Sequence, residues 1–436
     1  MLPRLLAFYE RVRTSLWFLP VLMTLEAAVI AWVALRIHLE LDLDSRVWWL
    51  NQSNAQNASN LLSSLLSSLV TMATLVISIT MVVLTLAANQ LGPRLIRSFM
   101  ADLRTQAVLG LFIGTIVYLV LVFRAIDTDL PKEAVPHVAV TSGTVLFLVC
   151  VFTLLFYVHH LGRSIVADNV VNRIGARLDE AIADNLPEIG EADAPVPPHL
   201  VREAASAFGL PESGYVQYIA HDAIAEAAAK RNVYVEINFR PGMHLIRKRE
   251  HVFIWPSDLL DEDLRSAIAG AVVIGEERTA ASDLEFSLRQ LVEIALRALS
   301  PGINDPYTAI AVIDRLASSL AAVMERGEPR QVWTDGGGTP RLTAFASTFS
   351  GLVDVAYSQI RQAAATQPAV LLRLLEALTS LARRPRTDAQ ARVLRTQIEA
   401  VAATARKAMT VPHDCEALEE RIAEAEGVME RAEPRA

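Results

Sequence analysis

Cysteine is scarce in this chain: Cys150 and Cys415 are the only two in 436 residues. They lie far apart and Cys150 falls in an apolar stretch, which excludes a disulfide framework and a zinc cluster. Aromatic residues make up 6% and charged residues 20% of the sequence, and no dense basic run appears. A general nucleic-acid binder needs a cationic surface, so that class is excluded as well. The signatures HExxH, GxSxG, GxGxxG and a paired CxxC are all missing. Gly336–Gly338 lacks the lysine and glycine spacing of a phosphate-binding loop. With no positioned nucleophile, metal set or cofactor fingerprint, the chain reads as a non-enzyme without metal or cofactor.

What is plentiful is apolar side chain, 52% of residues, and it is unevenly spread. That pattern predicts a membrane part followed by a soluble part. The formal charge of −8 is mild, and the excess acid lies outside the membrane part. Four stretches reach the roughly 20 apolar residues that a ~30 Å hydrocarbon core demands. They run from about Leu16 to Leu35, Asn57 to Ala88, Ala107 to Phe123 and Val138 to Val158. The first is too long for a signal-peptide core and lacks a small-residue cleavage site, so it reads as a retained anchor, with Trp17 and Trp32 near the interfaces.

Arginine placement sets the expected orientation. Arg4, Arg11 and Arg13 precede the first span, Arg94, Arg97 and Arg104 separate the second and third, and Arg163, Arg173 and Arg177 follow the fourth. The other two loops hold fewer cations, offset by Glu40, Asp42, Asp44, Asp127, Asp129 and Glu133. The positive-inside rule then places both termini in the cytoplasm.

The second span is full of hydroxyls, and their order is informative. Asn57, Asn60, Ser64, Ser67, Thr71, Thr74, Ser78 and Thr85 alternate steps of three and four, with one place skipped at Met81. Such spacing puts them on one stripe of a helix. Two readings fit this seam: packing against neighbouring helices, or lining of a water-filled path. With only four spans per chain, a path would form around the axis of a homo-oligomer. Glu26, near the middle of the first span, costs about 3 kcal/mol there if ionised. It is either glued to hydroxyls of the second helix or a site for an ion or proton. Gly110 and Gly114 form a GxxxG pair suited to close packing. His159 and His160 point to different helix faces, which makes them poor joint metal ligands.

Beyond Val158 an amphipathic helix is expected from about Gly162 to Asp184, then a linker over Glu188–Pro198. A short helix near Leu200–Phe208 precedes strands at Tyr215–Ile219, Val233–Phe239 and within Met243–Trp255, with a helix at Ala223–Lys230. After Trp255 the pattern is helical almost throughout, with a hairpin at Val332 and Leu342. The expected fold is therefore membrane α-helical, with four transmembrane helices (residues 1–160), followed by an α-rich α+β cytosolic domain. That domain divides into a connecting helix and linker (161–198), a small α/β unit (199–256) and a helical region (257–436).

The run from Arg278 to Ala309, RTAASDLEFSLRQLVEIALRALSPGINDPYTA, is the most distinctive cytosolic stretch. Glu285–Arg289 and Glu293–Arg297 are four-residue pairs on a helix otherwise apolar on most faces. Asp305-Pro306 is an N-cap followed by proline at the first helical position. Two readings again fit. One is a capped helix-turn-helix held by ion pairs; the other is a polar pocket of Arg278, Asp283, Arg289, Asn304 and Asp305 for an anionic or nucleotide-like ligand.

This run, with Gln90-Leu-Gly-Pro-Arg94, Arg97-Ser-Phe99, Arg104-Thr-Gln-Ala-Val-Leu-Gly110, Gly214-Tyr-Val-Gln-Tyr218 and Arg240-Pro-Gly242, resembles the uncharacterised bacterial membrane family catalogued as domain of unknown function 2254. The family's hairpin usually carries a glycine-bearing turn where Arg247-Lys-Arg-Glu250 stands here. The resemblance implies a four-span inner-membrane protein with a cytosolic domain, and it implies no activity. The residues themselves suggest an oligomeric, channel-like or transport-related protein gated by its cytosolic domain, acting on a small ion or solute. The alternative is a membrane-anchored sensor or scaffold with a cytosolic binding pocket.

Overall fold

The computed structural model describes residues 16–40, 54–92, 100, 102–127, 131, 134–164, 166–188, 202–279 and 282–431. Arg4, Arg11, Arg13, Arg94, Arg97 and most of the expected linker lie outside the described residues. The chain forms two compact units that divide between Val166 and Ala167.

The N-terminal unit is a helix bundle of α1 (Phe18–Glu40), α2 (Ala55–Leu91), α3 (Leu103–Arg124) and α4 (His137–Ser164). The central helix is α3, which packs along α1 and also against α2 and α4. The GxxxG pair makes the α1–α3 approach possible. A Cβ on Gly110 would lie 2.6 Å from the Met23 sulfur, and one on Gly114 would lie 3.2 Å from the Met23 carbonyl oxygen. Small residues thus let two backbones meet where larger ones would hold them apart.

Two marks fix how α2 lies along α3. A Cβ on Gly143 of α4 would touch Leu119 at 2.8 Å, Tyr118 at 3.4 Å and Leu62 at 3.8 Å, so Leu62 is level with Tyr118 and Leu119. At the other end the Thr80 hydroxyl bonds to the Tyr157 hydroxyl, which also meets Thr105. Leu62 is therefore near the depth of Leu119 and Thr80 near that of Thr105, with side chains spanning the remaining offset. At 37 residues α2 is about 55 Å long, so its last turns run past the beginning of α3.

Near that beginning lies a group of polar contacts. Asp102 caps α3: its Oδ1 accepts from the Arg104 N–H at 3.4 Å and its Oδ2 from the Thr105 hydroxyl at 3.1 Å. His160 Nε2 lies 2.9 Å from the same Oδ2. Thr80, Tyr157, Thr105, Asp102 and His160 thereby tie α2, α3 and α4 together at one end of the bundle. His160 has a specific partner there, while His159 is exposed.

The C-terminal unit opens with the amphipathic helix α5 (Ala167–Asn185), whose Val170, Val171, Ile174, Leu178 and Ile182 are buried. A five-stranded sheet follows in the order β1 (Ser206–Phe208), β5 (Val252–Trp255), β3 (Tyr234–Ile237), β8 (Pro340–Ala344), β7 (Val332–Thr334). A three-stranded sheet has the order β4 (His244–Leu245), β2 (Gly214–Ile219), β6 (Val272–Gly275). All pairings are antiparallel except β3 with β8. Of the segment Leu200–Phe208, expected as a helix, the described residues form a short 3-10 turn at Arg202–Ala204 and then strand β1. The stretch Met243–Trp255 is two strands around a turn in which Lys248 has φ 62°, a conformation that favours glycine.

Helices α6 (His221–Lys230) and α7 (Glu262–Gly270) accompany the sheets. The rest is helical: α8 (Leu284–Ala298), α9 (Pro306–Met324), α10 (Phe349–Ala363), α11 (Pro368–Ala382), α12 (Asp388–Ala408) and α13 (Pro412–Arg431). By length and composition five described helices could cross a membrane: α1 to α4 and also α9. The fifth packs against α5, α8 and α11 within the C-terminal unit and carries charge at mid-length. Asp314 accepts from Arg373 Nε at 2.6 Å, and Asp179 of α5 pairs with Arg315 and accepts from Ser319 at 2.8 Å.

One half-buried histidine bears on the acid stability of this unit. His221 is stacked on Trp333, ring centroids 4.1 Å apart, and burial pushes its pKa down to about 4 from 6.5. Between those values the unfolded chain takes up a proton that the folded chain refuses. Stability therefore falls as pH drops from 6.5 towards 4, by at most roughly 3 kcal/mol from this group. In His221→Phe, which keeps the stack, the urea midpoint of the detergent-solubilised chain should decline less over that pH window than in the wild type. Equal slopes would mean that other groups set the acid limit.

Candidate functional site

The seam of α2 is on the outside of its bundle. Asn57, Asn60, Ser64, Ser67, Thr71, Thr74, Ser78 and Thr85 are all exposed. Ala55, Ala58, Leu62, Leu69, Ala73, Val76, Thr80, Val83 and Ala87 are buried and form the stripe that packs on the rest of the unit. At about 100° per residue the polar stripe lies diametrically opposite the buried one. Its borders are apolar and exposed, with Val70, Ile77 and Met81 along one side and Leu75, Val82 and Leu86 along the other.

Among the described residues, the seam's side-chain hydrogen bonds to carbonyls are short-range. Ser64 donates to the Asn60 carbonyl at 2.9 Å, Thr71 to Ser67 at 3.0 Å, Thr74 to Val70 at 2.9 Å and Thr85 to Met81 at 2.8 Å. This back-bonding satisfies the donors and leaves oxygen lone pairs pointing outward. Of the two arrangements open from the sequence, sealing of the seam by helices of the same chain does not match this placement.

Glu26 is also exposed. A Cβ on Gly114 would lie 3.3 Å from that of Ala27 and 3.2 Å from the Met23 carbonyl, which puts Glu26 near the middle of α3 in depth. Around it Leu22, Leu25, Val29 and Ile30 are exposed and apolar. The carboxyl is not glued to the hydroxyls of its own α2, because α2 packs on α3 and α4.

In the C-terminal unit the expected polar group is partly assembled. Asp283 caps α8 and its carboxylate receives Arg278 Nε at 2.7 Å. Glu285 is paired with Arg240 and accepts from Arg289 Nη2 at 3.1 Å, with Arg278 Nη2 at 4.0 Å. Both carboxylates are almost fully buried, 2% and 5% exposed. Burial raises the pKa of Asp283 above its usual value, and Arg278 only partly opposes this. Gly242, at φ 87°, lies against the Asp283 carboxylate so closely that any side chain there would collide with it. Arg240 meanwhile lies over the Phe345 ring at 5.8 Å. The result is a clasp of three guanidiniums on two carboxylates, joining the Arg240-Pro241-Gly242 turn to the start of α8.

Asn304 and Asp305 do not belong to that clasp. They lie at the opposite end of the 15-residue α8, roughly 20 Å away. Asp305 caps α9, accepting from the Tyr307 and Thr308 N–H groups at 3.1 Å, while Asn304 accepts from Gln367 at 2.8 Å. Sequence reasoning missed Arg240, read only as part of a turn; Glu285 was visible as the partner of Arg289. Among the described residues no group of histidine, cysteine or acidic side chains is arranged to hold a metal.

Apolar helices of membrane-crossing length, joined to an α-rich unit with two small sheets, define a multi-pass membrane protein. The chain belongs to the family described as Predicted membrane protein (DUF2254), which it matches over residues 13–380. It is 31% identical over 364 residues to an uncharacterised protein of Mycobacterium bovis, covering 82% of this chain and 70% of that one. Two uncharacterised proteins of Mycobacterium tuberculosis match with the same identity and coverage. No solved structure matches the chain.

The clasp makes a prediction. Glu285→Ala leaves Arg240 and Arg289 without their shared anion and should cost about 3–5 kcal/mol of stability. Gln367→Ala removes the exposed hydrogen bond to Asn304 and should cost no more than about 1 kcal/mol. Urea midpoints of the two variants, measured side by side, check the ratio; equal losses would contradict the arrangement.

Proposed function

We propose that this protein is a channel-like or transport-related membrane protein that works as a homo-oligomer. Copies assemble with their α2 helices around a common axis, and the hydroxyl seams line a path for small ions or polar solutes. Four helices, α1 to α4, span the inner membrane, and both termini are cytoplasmic. Helix α9 stays in the cytosolic unit, since its mid-helix Asp314 and Arg315 already have ion-pair partners there. That unit controls the opening.

The observation that carries this reading is the outward seam at membrane depth. A single chain covers the apolar stripe of α2 and leaves the polar stripe outside, where lipid would meet its hydroxyls and amides. Hydrocarbon offers such groups no hydrogen bonds, whereas water in a central opening does. The apolar borders on either side suit contact with neighbouring copies. A lining of neutral hydroxyls carries no charged ring, so selectivity would come from the width of the path and from oxygen dipoles rather than from fixed charge.

Replacing Thr71 and Thr74 together with leucine should reduce the conductance of the reconstituted protein at least tenfold while leaving its fold intact, because leucine is tolerated on any membrane helix. Currents or solute fluxes that match the wild type would remove the basis for the proposal.

A further inference from the structure

Glu26 and the seam, two polar features that one chain leaves exposed among the described residues, are on different helices. Glu26 projects from α1, and the seam of α2 carries two serines on its shoulders, Ser63 and Ser68. At 100° per residue these lie on opposite sides of the seam, about 60° and 80° from its centre line. In a ring of copies the centre line faces the axis and the shoulders face the neighbours. A shoulder serine is therefore placed for contact between copies and not for the path itself.

Depth distinguishes the two shoulders. Leu62 is level with Tyr118 and Leu119, and Thr80 with Thr105. Gly114 lies between those marks: counted from Leu62 it is opposite Leu66 and Ser67, and counted from Thr80 it is opposite Thr71, a range that contains Ser68 and not Ser63. Glu26 shares the depth of Gly114 through Met23 and Ala27. Ser63 is more than a helical turn away along α2. Among the described residues neither Glu26 nor Ser68 has a hydrogen-bond partner, and both are exposed. Within one chain they are held apart, because α1 and α2 both pack on α3 and α4.

We propose that the Glu26 carboxyl of one copy hydrogen-bonds the Ser68 hydroxyl of the next, forming the membrane-depth contact that assembles the oligomer. The occupant of the α1 face is a second copy of this chain, and the complementarity is polar. A mid-membrane carboxyl needs a hydrogen-bonding group that lipid lacks, and a serine at its own depth lacks a partner too. Because the contact joins two different surfaces, it is head-to-tail, and such contacts close into rings when the rotation permits. The inference rests on the reading above that copies assemble around α2, and it adds which surfaces meet.

The test is cysteine cross-linking in native membranes, in a background carrying Cys150→Ser and Cys415→Ser. One tagged chain carries Glu26→Cys and a differently tagged chain carries Ser68→Cys. Oxidation should give a mixed dimer, several-fold more of it than the pairing of Glu26→Cys with Ser63→Cys gives. A second measurement is the particle mass in mild detergent, which Glu26→Gln should preserve and Glu26→Leu should reduce to smaller species. Leucine suits a lipid-facing position, so loss of mass would not reflect misfolding. Equal cross-linking to Ser63 and Ser68, no mixed dimer at all, or a wild-type monomer would each overturn the inference. A mixed dimer at Ser68 together with unchanged conductance in the Thr71 and Thr74 double variant would uphold this contact and reject the path. The reverse pair of results would reject the contact alone.

Discussion

The constraint on which this structure depends is the cost of leaving hydrogen-bonding groups against hydrocarbon. Helix α2 has two faces of opposite character, and the chain folds by burying only the apolar one. The buried alanines, leucines and valines from Ala55 to Ala87 hold α2 to the bundle. The hydroxyls and amides from Asn57 to Thr85 are then outside by geometry, since a helix cannot present both faces to the same neighbours. Back-bonding to carbonyls four residues earlier softens the cost and leaves the oxygens in need of water or a partner. Everything proposed about assembly follows from that residual need.

The C-terminal unit solves a similar problem without a partner. Its charged groups near α8 are drawn into a clasp in which two buried carboxylates hold three guanidiniums. Charges so deeply placed tolerate the loss of one member poorly, which ties the position of α8 to the Arg240-Pro241-Gly242 turn. The same logic keeps α9 in this unit despite its apolar composition, because Asp314 and Arg315 are each paired in the middle of the helix. Composition alone would allow α9 to cross a membrane; its ion pairs favour a protein environment.

Much of this was legible in the sequence, and the reasons differ from place to place. The long apolar helices were visible because length and hydropathy act locally, and the seam because spacing on a helix is fixed by its pitch. Asp305-Pro306 announced the start of α9 through capping chemistry, and the hairpin at Val332 and Leu342 through its turn. Strand β6 was hidden, because a four-residue apolar run such as Val272–Gly275 looks the same in a helix or a strand. The parallel pairing of β3 with β8 joins residues about a hundred positions apart, beyond any local signal. Periodicity placed the hydroxyls on one face without saying what that face meets. Residues close in sequence also misled: Asp283 and Asp305 flank one helix, and a rigid helix keeps its two ends apart.

The most direct test of the account is the water accessibility of α2 in the membrane. Single cysteines at Ser64, Ser67, Val70, Thr71, Thr74, Leu75 and Ser78, in a chain without Cys150 and Cys415, would be exposed to a hydrophilic, membrane-impermeant thiol reagent. The account predicts fast labelling at the seam positions and slow labelling at Val70 and Leu75, a period of three to four residues. Protection at all seven positions, or the same rate at each, would contradict it.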